Sequence, residues 1–236
     1  DDWMDGDAVR RGGPSVHASL RSKVGDSHLG DALAILAGDL GCAFAWERFL
    51  DTDAPGDRSR AALRVFAAIQ REVVLGQELD VKGSPDVSRM QQLKTGSYTV
   101  AGPIRLGALL GGATEGDAAW RALEGFAGPL GEAFQMRDDL LGTFGDPDKT
   151  GKSAGNDLRA GKRTALVRAA EESLPAQERA PLTKVLGRAD ASDADIAAAR
   201  ELFVSRGVKS QVETRLSALL AQAKAALDVP SLSATG

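Results

Sequence analysis

The chain has 236 residues, of which 43% are hydrophobic and 26% are charged. A chain of this length can bury a complete core, and its hydrophobic content excludes an intrinsically disordered protein. The formal net charge of −4 gives no support for nucleic-acid binding.

Residue counts exclude further classes of protein. One cysteine, Cys42, cannot form an internal disulfide framework, and two histidines cannot build a histidine-rich metal centre. Uninterrupted apolar runs are short, such as the seven residues 32–38, whereas a membrane-spanning helix needs about 20 apolar residues. We therefore expect no transmembrane segment.

Hydrophobic periodicity predicts helices along most of the chain. Apolar residues recur at steps of three and four over residues 29–44, 63–74, 123–141 and 202–223, which is typical of helices with one buried face. No alternating run of β-branched residues indicates a strand. The prediction is an all-α helical bundle formed by residues 1–236 as one domain, with residues 230–236 as a flexible tail.

One predicted helix is apolar on almost every side. Residues 29–46 contain only two charged side chains, Asp31 and Asp39. A helix of this kind is normally buried on most sides, so we expect it to be central in the bundle.

A first acidic cluster opens the chain with the pattern Asp1-Asp2-x-x-Asp5. On a helix, Asp1 and Asp5 would share one face, and carboxylates this close remain ionised only beside positive charge. Mg²⁺ suits such a cluster, although the motif alone more often indicates a solvated acidic turn. Arg10 and Arg11 follow, and guanidinium groups can bind a diphosphate through paired hydrogen bonds.

A second acidic pair, Asp138 and Asp139, follows an apolar helical pattern, where two charges are costly unless they are paired or bound to metal. A glycine-rich segment with Lys152 and Lys162 comes next. This segment is not a P-loop, because five residues separate Gly145 from Gly151 and because a helix precedes it.

Taken together and in order, these motifs resemble those of the trans-isoprenyl diphosphate synthases (polyprenyl synthetases). Asp1-Asp2-x-x-Asp5 with the arginine pair resembles the first Asp-rich motif of the family, and Phe134-Gln135-x-x-Asp138-Asp139 resembles the second. Gly76-Gln77-x-x-Asp80, Lys94-Thr95 and Gly161-Lys162-Arg163 are similar to further family motifs. The likeness spans about residues 1–170, and the ordered set is more specific than any one motif.

The resemblance implies an activity and a set of site residues. Two acidic clusters would face each other across a helical cavity, bind about three Mg²⁺ ions and hold an allylic diphosphate. The C–O bond of the allylic diphosphate would break, isopentenyl diphosphate would attack the cation, and the released diphosphate would accept the proton. The implied metal ligands are Asp1, Asp2, Asp5 and Asp138, and Gln77, Asp80 and Asp139 would support them. Arg10, Arg11, Lys94, Lys152 and Lys162 would bind diphosphate groups, and Lys94, Thr95, Gln135 and Lys152 would act in catalysis.

The resemblance also implies a homodimer, with its interface among the apolar helices between residues 29 and 80, and a cytoplasmic enzyme. Two departures from the family pattern stand out. Gly142 replaces the third Asp of the second motif, for which we expect a modest effect. The helices that precede the first Asp-rich motif in the family, with a basic stretch that binds isopentenyl diphosphate, have no counterpart here, so we expect the natural protein to be longer.

Two alternatives remain open from the sequence. A class I terpene cyclase shares the helical fold, but Ala160 stands where the Asn-Asp-x-x-Ser motif of the cyclases, begun here by Asn156-Asp157, has serine. A non-catalytic regulatory subunit of a prenyl synthase would usually lose the Asp-rich motifs, which this chain largely keeps.

Overall fold

The computed structural model describes residues 2–84, 86, 89, 90, 92–146, 155–229 and 232. A short hairpin of β1 (Val9–Arg10) and β2 (Gly13–Pro14) precedes the helices. The helices are α1 (Val16–Val24), α2 (Ser27–Leu50), α3 (Gly56–Val81), a π-helix (Gln92–Ala101), α4 (Gly102–Leu110), α5 (Ala118–Phe144), α6 (Asn156–Arg159), α7 (Ala165–Ser173), α8 (Ala180–Val185), α9 (Asp193–Ser205) and α10 (Val208–Ala226).

The architecture is the predicted all-α bundle. The short hairpin was not predicted from the sequence. Each of its strands has only two residues, so an alternating pattern could not develop. The predicted tail at residues 230–236 lies outside the described residues except for Leu232.

Side-chain caps account for the starts of several helices. Asp26 accepts a hydrogen bond from the backbone N–H of Leu29 at the start of α2, and Asp117 accepts one from Trp120 at the start of α5. Thr164 caps α7 in the same way. These oxygen atoms satisfy N–H groups that have no partner within the first helical turn.

The main hydrophobic core lies in the C-terminal half of the chain. It is formed by buried side chains from α5 to α10, among them Leu158, Leu166, Val185 and Phe203. Helices α8, α9 and α10 at the C-terminal end of the chain supply much of this core. Their helical periodicity was correct: Leu202, Val208, Val212, Leu219 and Ala223 are buried.

A substitution at Phe203 tests this position of the core. The Phe203 side chain is 0% exposed, so Phe203→Ala leaves a cavity and should lower the free energy of unfolding by about 3–5 kcal/mol. The neighbouring Val204 is 51% exposed, and Val204→Ala should change it by less than about 0.5 kcal/mol. Urea denaturation followed by circular dichroism measures both values, and equal values would contradict the assignment of the core.

Helix α2 differs most from its prediction. Within this single chain only Gly30 of α2 is buried, and Leu36 and Leu40 are 60% and 54% exposed. The prediction of a central, buried helix was therefore wrong for the isolated chain. The helix packs on α1, where Gly30 lies against the Arg21 backbone, and meets α3 where Trp46 contacts Phe66.

Helix α2 also qualifies the expectation about membranes. Among the described residues it is the one helix that is long and apolar enough to cross a membrane, with a mean hydropathy of 1.4 over its most apolar window. The uninterrupted-run criterion missed it because isolated aspartates interrupt the run without lowering the average much. Length and composition alone are weak evidence, since core helices of soluble proteins and signal sequences meet the same criteria.

Helix α3 makes two close contacts with neighbouring helices that position residues of the candidate site. Gly76 lies against the backbone of Lys94 in the π-helix, and Gly102 at the start of α4 lies against Ile69. Both glycines are buried. A side chain at either position would occupy the space of the neighbouring helix, so only glycine allows this close packing. The π-helix is thereby held beside the C-terminal end of α3.

Candidate active site

The first acidic cluster is a turn in the described residues 2–6, and not the regular helix on which Asp1 and Asp5 were expected to share a face. The backbone N–H of Asp7 donates to the carbonyl of Asp2 at 2.8 Å and closes the turn. The Trp3 side chain lies close to Asp31 in α2, so the turn is adjacent to that helix. Asp1, a predicted metal ligand, lies outside the described residues.

The arginine pair lies on the hairpin. Arg11 and Gly12 form its tip with positive φ angles of 51° and 78°, which is typical of a tight two-residue turn. Arg10 forms an ion pair with Asp2, with Nη1 and Oδ1 2.8 Å apart. Both arginine side chains are exposed, so they remain accessible to an anion at the mouth of the site.

Lys94 links the first acidic cluster to α3. Its Nζ atom lies 3.2 Å from Asp5 and 2.5 Å from Asp80, while the amide of Gln77 donates to Asp5 at 3.2 Å. Partial burial disfavours the charged lysine, but the hydrogen bonds to Asp80 and Asp5 outweigh it and raise the pKa of Lys94. Four predicted site residues therefore form one hydrogen-bonded group.

The second acidic pair separates into one exposed and one buried carboxylate. Asp138 is exposed, whereas Asp139 is buried. Asp139 accepts hydrogen bonds from the Gln135 amide at 3.0 Å and from the backbone N–H of Ala165 at 2.7 Å. Burial raises the pKa of Asp139, although these two hydrogen bonds oppose the change. Asp138 can therefore reach a ligand, while Asp139 ties α5 to the start of α7.

Lys162 forms an ion pair near the second acidic pair. Its Nζ atom lies 2.9 Å from Asp157. Desolvation opposes its charge, but Asp157, then Asp138 and Asp80, raise the pKa of Lys162. Because Asp80 also pairs with Lys94, Lys162 lies near both the Lys94 group and Asp138.

Asp157, which pairs with Lys162, was not assigned to the site in the sequence analysis. It appeared there only in a comparison with a cyclase motif, although its place five residues before Lys162 across a tight turn was a usable signal. Two other predicted site residues are not fully described. Lys152 lies outside the described residues, and so does the side chain of Thr95. The backbone of Thr95 lies in the π-helix.

The donor set fits Mg²⁺. Within the described ranges, no group of three or more Asp, Glu, His or Cys side chains is already arranged around one point. Mg²⁺ does not require one, because it binds through one or two carboxylates together with waters and substrate phosphates. Asp2, Asp5 and Asp138 carry carboxylate oxygens of the kind that Mg²⁺ prefers, and Lys94 and Lys162 lie 3.2 Å from Asp5 and 2.9 Å from Asp157.

A cleft of about 740 Å³ adjoins the second cluster. It lies between the π-helix, α5, α7 and α10, and Gln135 and Asp139 line one side of it. Apolar and charged groups share its wall, including Phe134, Val212 and Arg168. A molecule in this cleft would have one end beside the acidic site.

The fold and these charges define an all-α protein with a site suited to a metal-bound diphosphate. The sequence profile of the polyprenyl synthetase family matches residues 1–203. The chain belongs to the polyprenyl synthetase family, as its motifs predicted.

Similar proteins agree with this membership. The chain is 34% identical to a geranylfarnesyl diphosphate synthase of Natronomonas pharaonis over 97% of its length, but spans only 64% of that relative. It is 37% identical to a (2E,6E)-farnesyl diphosphate synthase of Mycobacterium tuberculosis, with 88% of this chain and 56% of the relative covered.

Solved structures support the fold. A geranylgeranyl pyrophosphate synthase from Corynebacterium glutamicum, in complex with isoprenyl diphosphate and magnesium, superposes with a TM-score of 0.78 at 32% identity. The match covers 97% of this chain and 68% of that one. A geranylgeranyl pyrophosphate synthetase from Pyrococcus horikoshii gives 0.77 at 28% identity, with the same coverage of both chains.

Proposed function

We propose that the protein is a Mg²⁺-dependent prenyltransferase that condenses isopentenyl diphosphate with an allylic diphosphate to a longer trans-polyprenyl diphosphate. The observation that carries the proposal is that Lys94 pairs with Asp5 of the first acidic cluster and with Asp80, while Asp80 and Asp138 both act on Lys162. Family membership and the names of the similar synthases support the same chemistry.

The proposed roles follow from the charges of the site. Bound Mg²⁺, about three ions by family likeness, would supply Lewis-acid stabilisation of the departing diphosphate. Lys94, Lys162 and Arg10 would add positive charge where negative charge develops as the allylic C–O bond breaks. Lys152 is proposed for the same role from its motif, and Arg11 for isopentenyl diphosphate.

The bond changes then balance without a protein base. The C–O electron pair leaves with the diphosphate, the double bond of isopentenyl diphosphate attacks the allylic cation, and the diphosphate accepts the released proton. The Gln135 NH₂ group donates to Asp139, which leaves its amide oxygen as the dipole to face a cation. Thr95 is proposed to assist from the π-helix.

A product assay tests the proposal. The purified full-length protein is incubated with Mg²⁺, isopentenyl diphosphate and, in turn, allylic diphosphates of one, two and three isoprene units. Products longer by whole isoprene units, detected by mass spectrometry and abolished by EDTA, are expected. A cyclic hydrocarbon would instead indicate a terpene cyclase, and no product with any substrate would indicate a regulatory subunit.

We also propose that α2 is buried against a second copy of the chain. Its exposed apolar residues form a continuous stripe that includes Leu36, Leu40 and Phe44. A continuous stripe of apolar side chains exposed to water is unfavourable and is typical of a protein interface. A dimer also explains the hydropathy of α2 without a membrane, and the cytoplasmic location stays a prediction.

Charged substitutions test the dimer. Leu36→Glu combined with Leu40→Glu places two charges in the stripe and should convert a dimer into a monomer, measured by size-exclusion chromatography with light scattering. Leu220→Glu is the matched control, since Leu220 is 46% exposed on the distant helix α10. A monomeric wild-type protein, or a double variant that stays dimeric, would contradict the proposal.

A further inference from the structure

Gly142 and Asp157 form a close contact between α5 and α6. The backbone N–H of Gly155 donates to the carbonyl of Gly142 at 3.0 Å, which holds the start of α6 on the surface of α5. A Cβ atom built on Gly142 would lie well inside 3.0 Å of Asp157 Oδ2. The Asp157 carboxylate therefore occupies the space that a side chain at position 142 would need.

Position 142 is also where the second Asp-rich motif lacks its third carboxylate. We propose that Asp157 supplies this carboxylate from α6, and that it acts with Asp138 in binding the Mg²⁺–diphosphate. The inference rests on the proposed function. It adds to it a binding residue that lies outside both Asp-rich motifs.

The electrostatic surroundings of Asp157 support this role. Its side chain is 19% exposed, so it is accessible from the site while remaining held by Lys162 at 2.9 Å. Asp138 and Asp80 act on the same lysine, and Asp138 and Asp157 both act on Asp139. Asp157 of α6 contacts this lysine, and the charges of Asp138 in α5 and Asp80 in α3 also act on it, so the negative charges near Lys162 outnumber its single positive charge.

For Mg²⁺ binding, the position of a carboxylate in space matters more than its position in the sequence. The ion binds through few protein oxygens and completes its shell with water and phosphate, so a ligand or a water-bonded carboxylate can come from a neighbouring helix. An ion pair that only closed the turn before Lys162 would be indifferent to Mg²⁺. The two roles therefore differ in a measurable way.

The structure makes an unusual prediction for the restored motif. Gly142→Asp recreates the missing third Asp, yet it should weaken the site, because its Cβ would displace the Asp157 carboxylate from its position and a further negative charge would be added. Removing the Asp157 side chain opens that space. The double variant Gly142→Asp with Asp157→Ala should therefore recover what each single variant loses.

The experiment measures binding of methylenediphosphonate, a non-hydrolysable diphosphate, by isothermal titration calorimetry over a series of Mg²⁺ concentrations. Asp157→Asn keeps the size of the side chain and should raise the Mg²⁺ concentration for half-maximal binding by about tenfold or more. Gly142→Asp should also weaken binding, and the double variant should return close to wild type. Thermal denaturation and circular dichroism verify that each variant is folded.

Lys162→Gln is the comparison variant for a role that runs only through the ion pair. It should weaken diphosphate binding at every Mg²⁺ concentration without moving the Mg²⁺ half-saturation. The inference is overturned if Asp157→Asn behaves like Lys162→Gln or like wild type while the wild-type protein shows Mg²⁺-dependent binding. A wild-type protein without such binding would overturn the proposed function itself, and the inference with it.

Discussion

Alanine at position 76 is expected to lower kcat/KM for chain elongation by about 10²-fold or more, although Gly76 contacts no substrate. Its built Cβ would lie 2.7 Å from Lys94 Cα, so α3 and the π-helix would have to separate. Lys94 would then move from Asp5 and Asp80, and a displacement of about 1 Å at a reacting group is enough for such a loss.

The effect on stability should be smaller than the effect on activity. Overpacking of this kind costs about 1–3 kcal/mol, which thermal or urea denaturation would detect without abolishing the fold. Steady-state kinetics at saturating Mg²⁺ measures the activity.

Gly107→Ala in α4 is the matched control for Gly76→Ala. Nothing lies within 4 Å of a Cβ built on Gly107, so alanine there should leave activity unchanged and stabilise the helix by up to about 1 kcal/mol. Equal activity of the two variants would contradict the positioning role of Gly76.

The sequence predicted the helices and much of the core because periodicity reports which residues of a helix share a face. The buried residues Leu202, Val208 and Val212 followed this rule. The rule fails for α2, because an apolar face has the same pattern whether its partner is the core of one chain or another molecule.

Some features of the candidate site could also be predicted from the sequence, and others could not. Motifs predicted the residue types, and family likeness predicted their order, so Asp5, Lys94, Asp80 and Asp138 were named as site residues, and the structure brings Asp5, Lys94 and Asp80 together. Their contacts were not, since Lys94 meets Asp5 across 89 positions of the chain. Asp157 was missed because its relation to Gly142 depends on how α6 packs on α5, which no spacing within a motif reports.

Lys94→Met is expected to reduce kcat by about 10²–10³-fold, the usual cost of removing one preorganised group that stabilises developing negative charge. Methionine keeps most of the length and apolar character of the side chain, so packing in the π-helix should survive. Asp5 and Asp80 would lose the cation that they share, and their charge would then repel the diphosphate. Diphosphate affinity should fall together with kcat in steady-state and calorimetric measurements.

The matched control is Lys82→Met at the end of α3. Lys82 is an exposed lysine that pairs with Glu78 one helical turn away, and such surface pairs contribute little. Its kcat should stay close to wild type. A large loss in both variants, or in neither, would contradict a specific role for Lys94.

The pH dependence of stability separates the charge of Lys94 from its packing. Because the folded pKa of Lys94 is raised, its charge contributes stability that is fully present below the unfolded pKa of about 10.4. This contribution is lost as the pH rises through the folded pKa. The difference in unfolding free energy between wild type and Lys94→Met should therefore stay constant near neutral pH and shrink in alkaline solution. A difference that did not change with pH would mean that Lys94 acts through its packing, and the proposed electrostatic role in diphosphate release would lose its support.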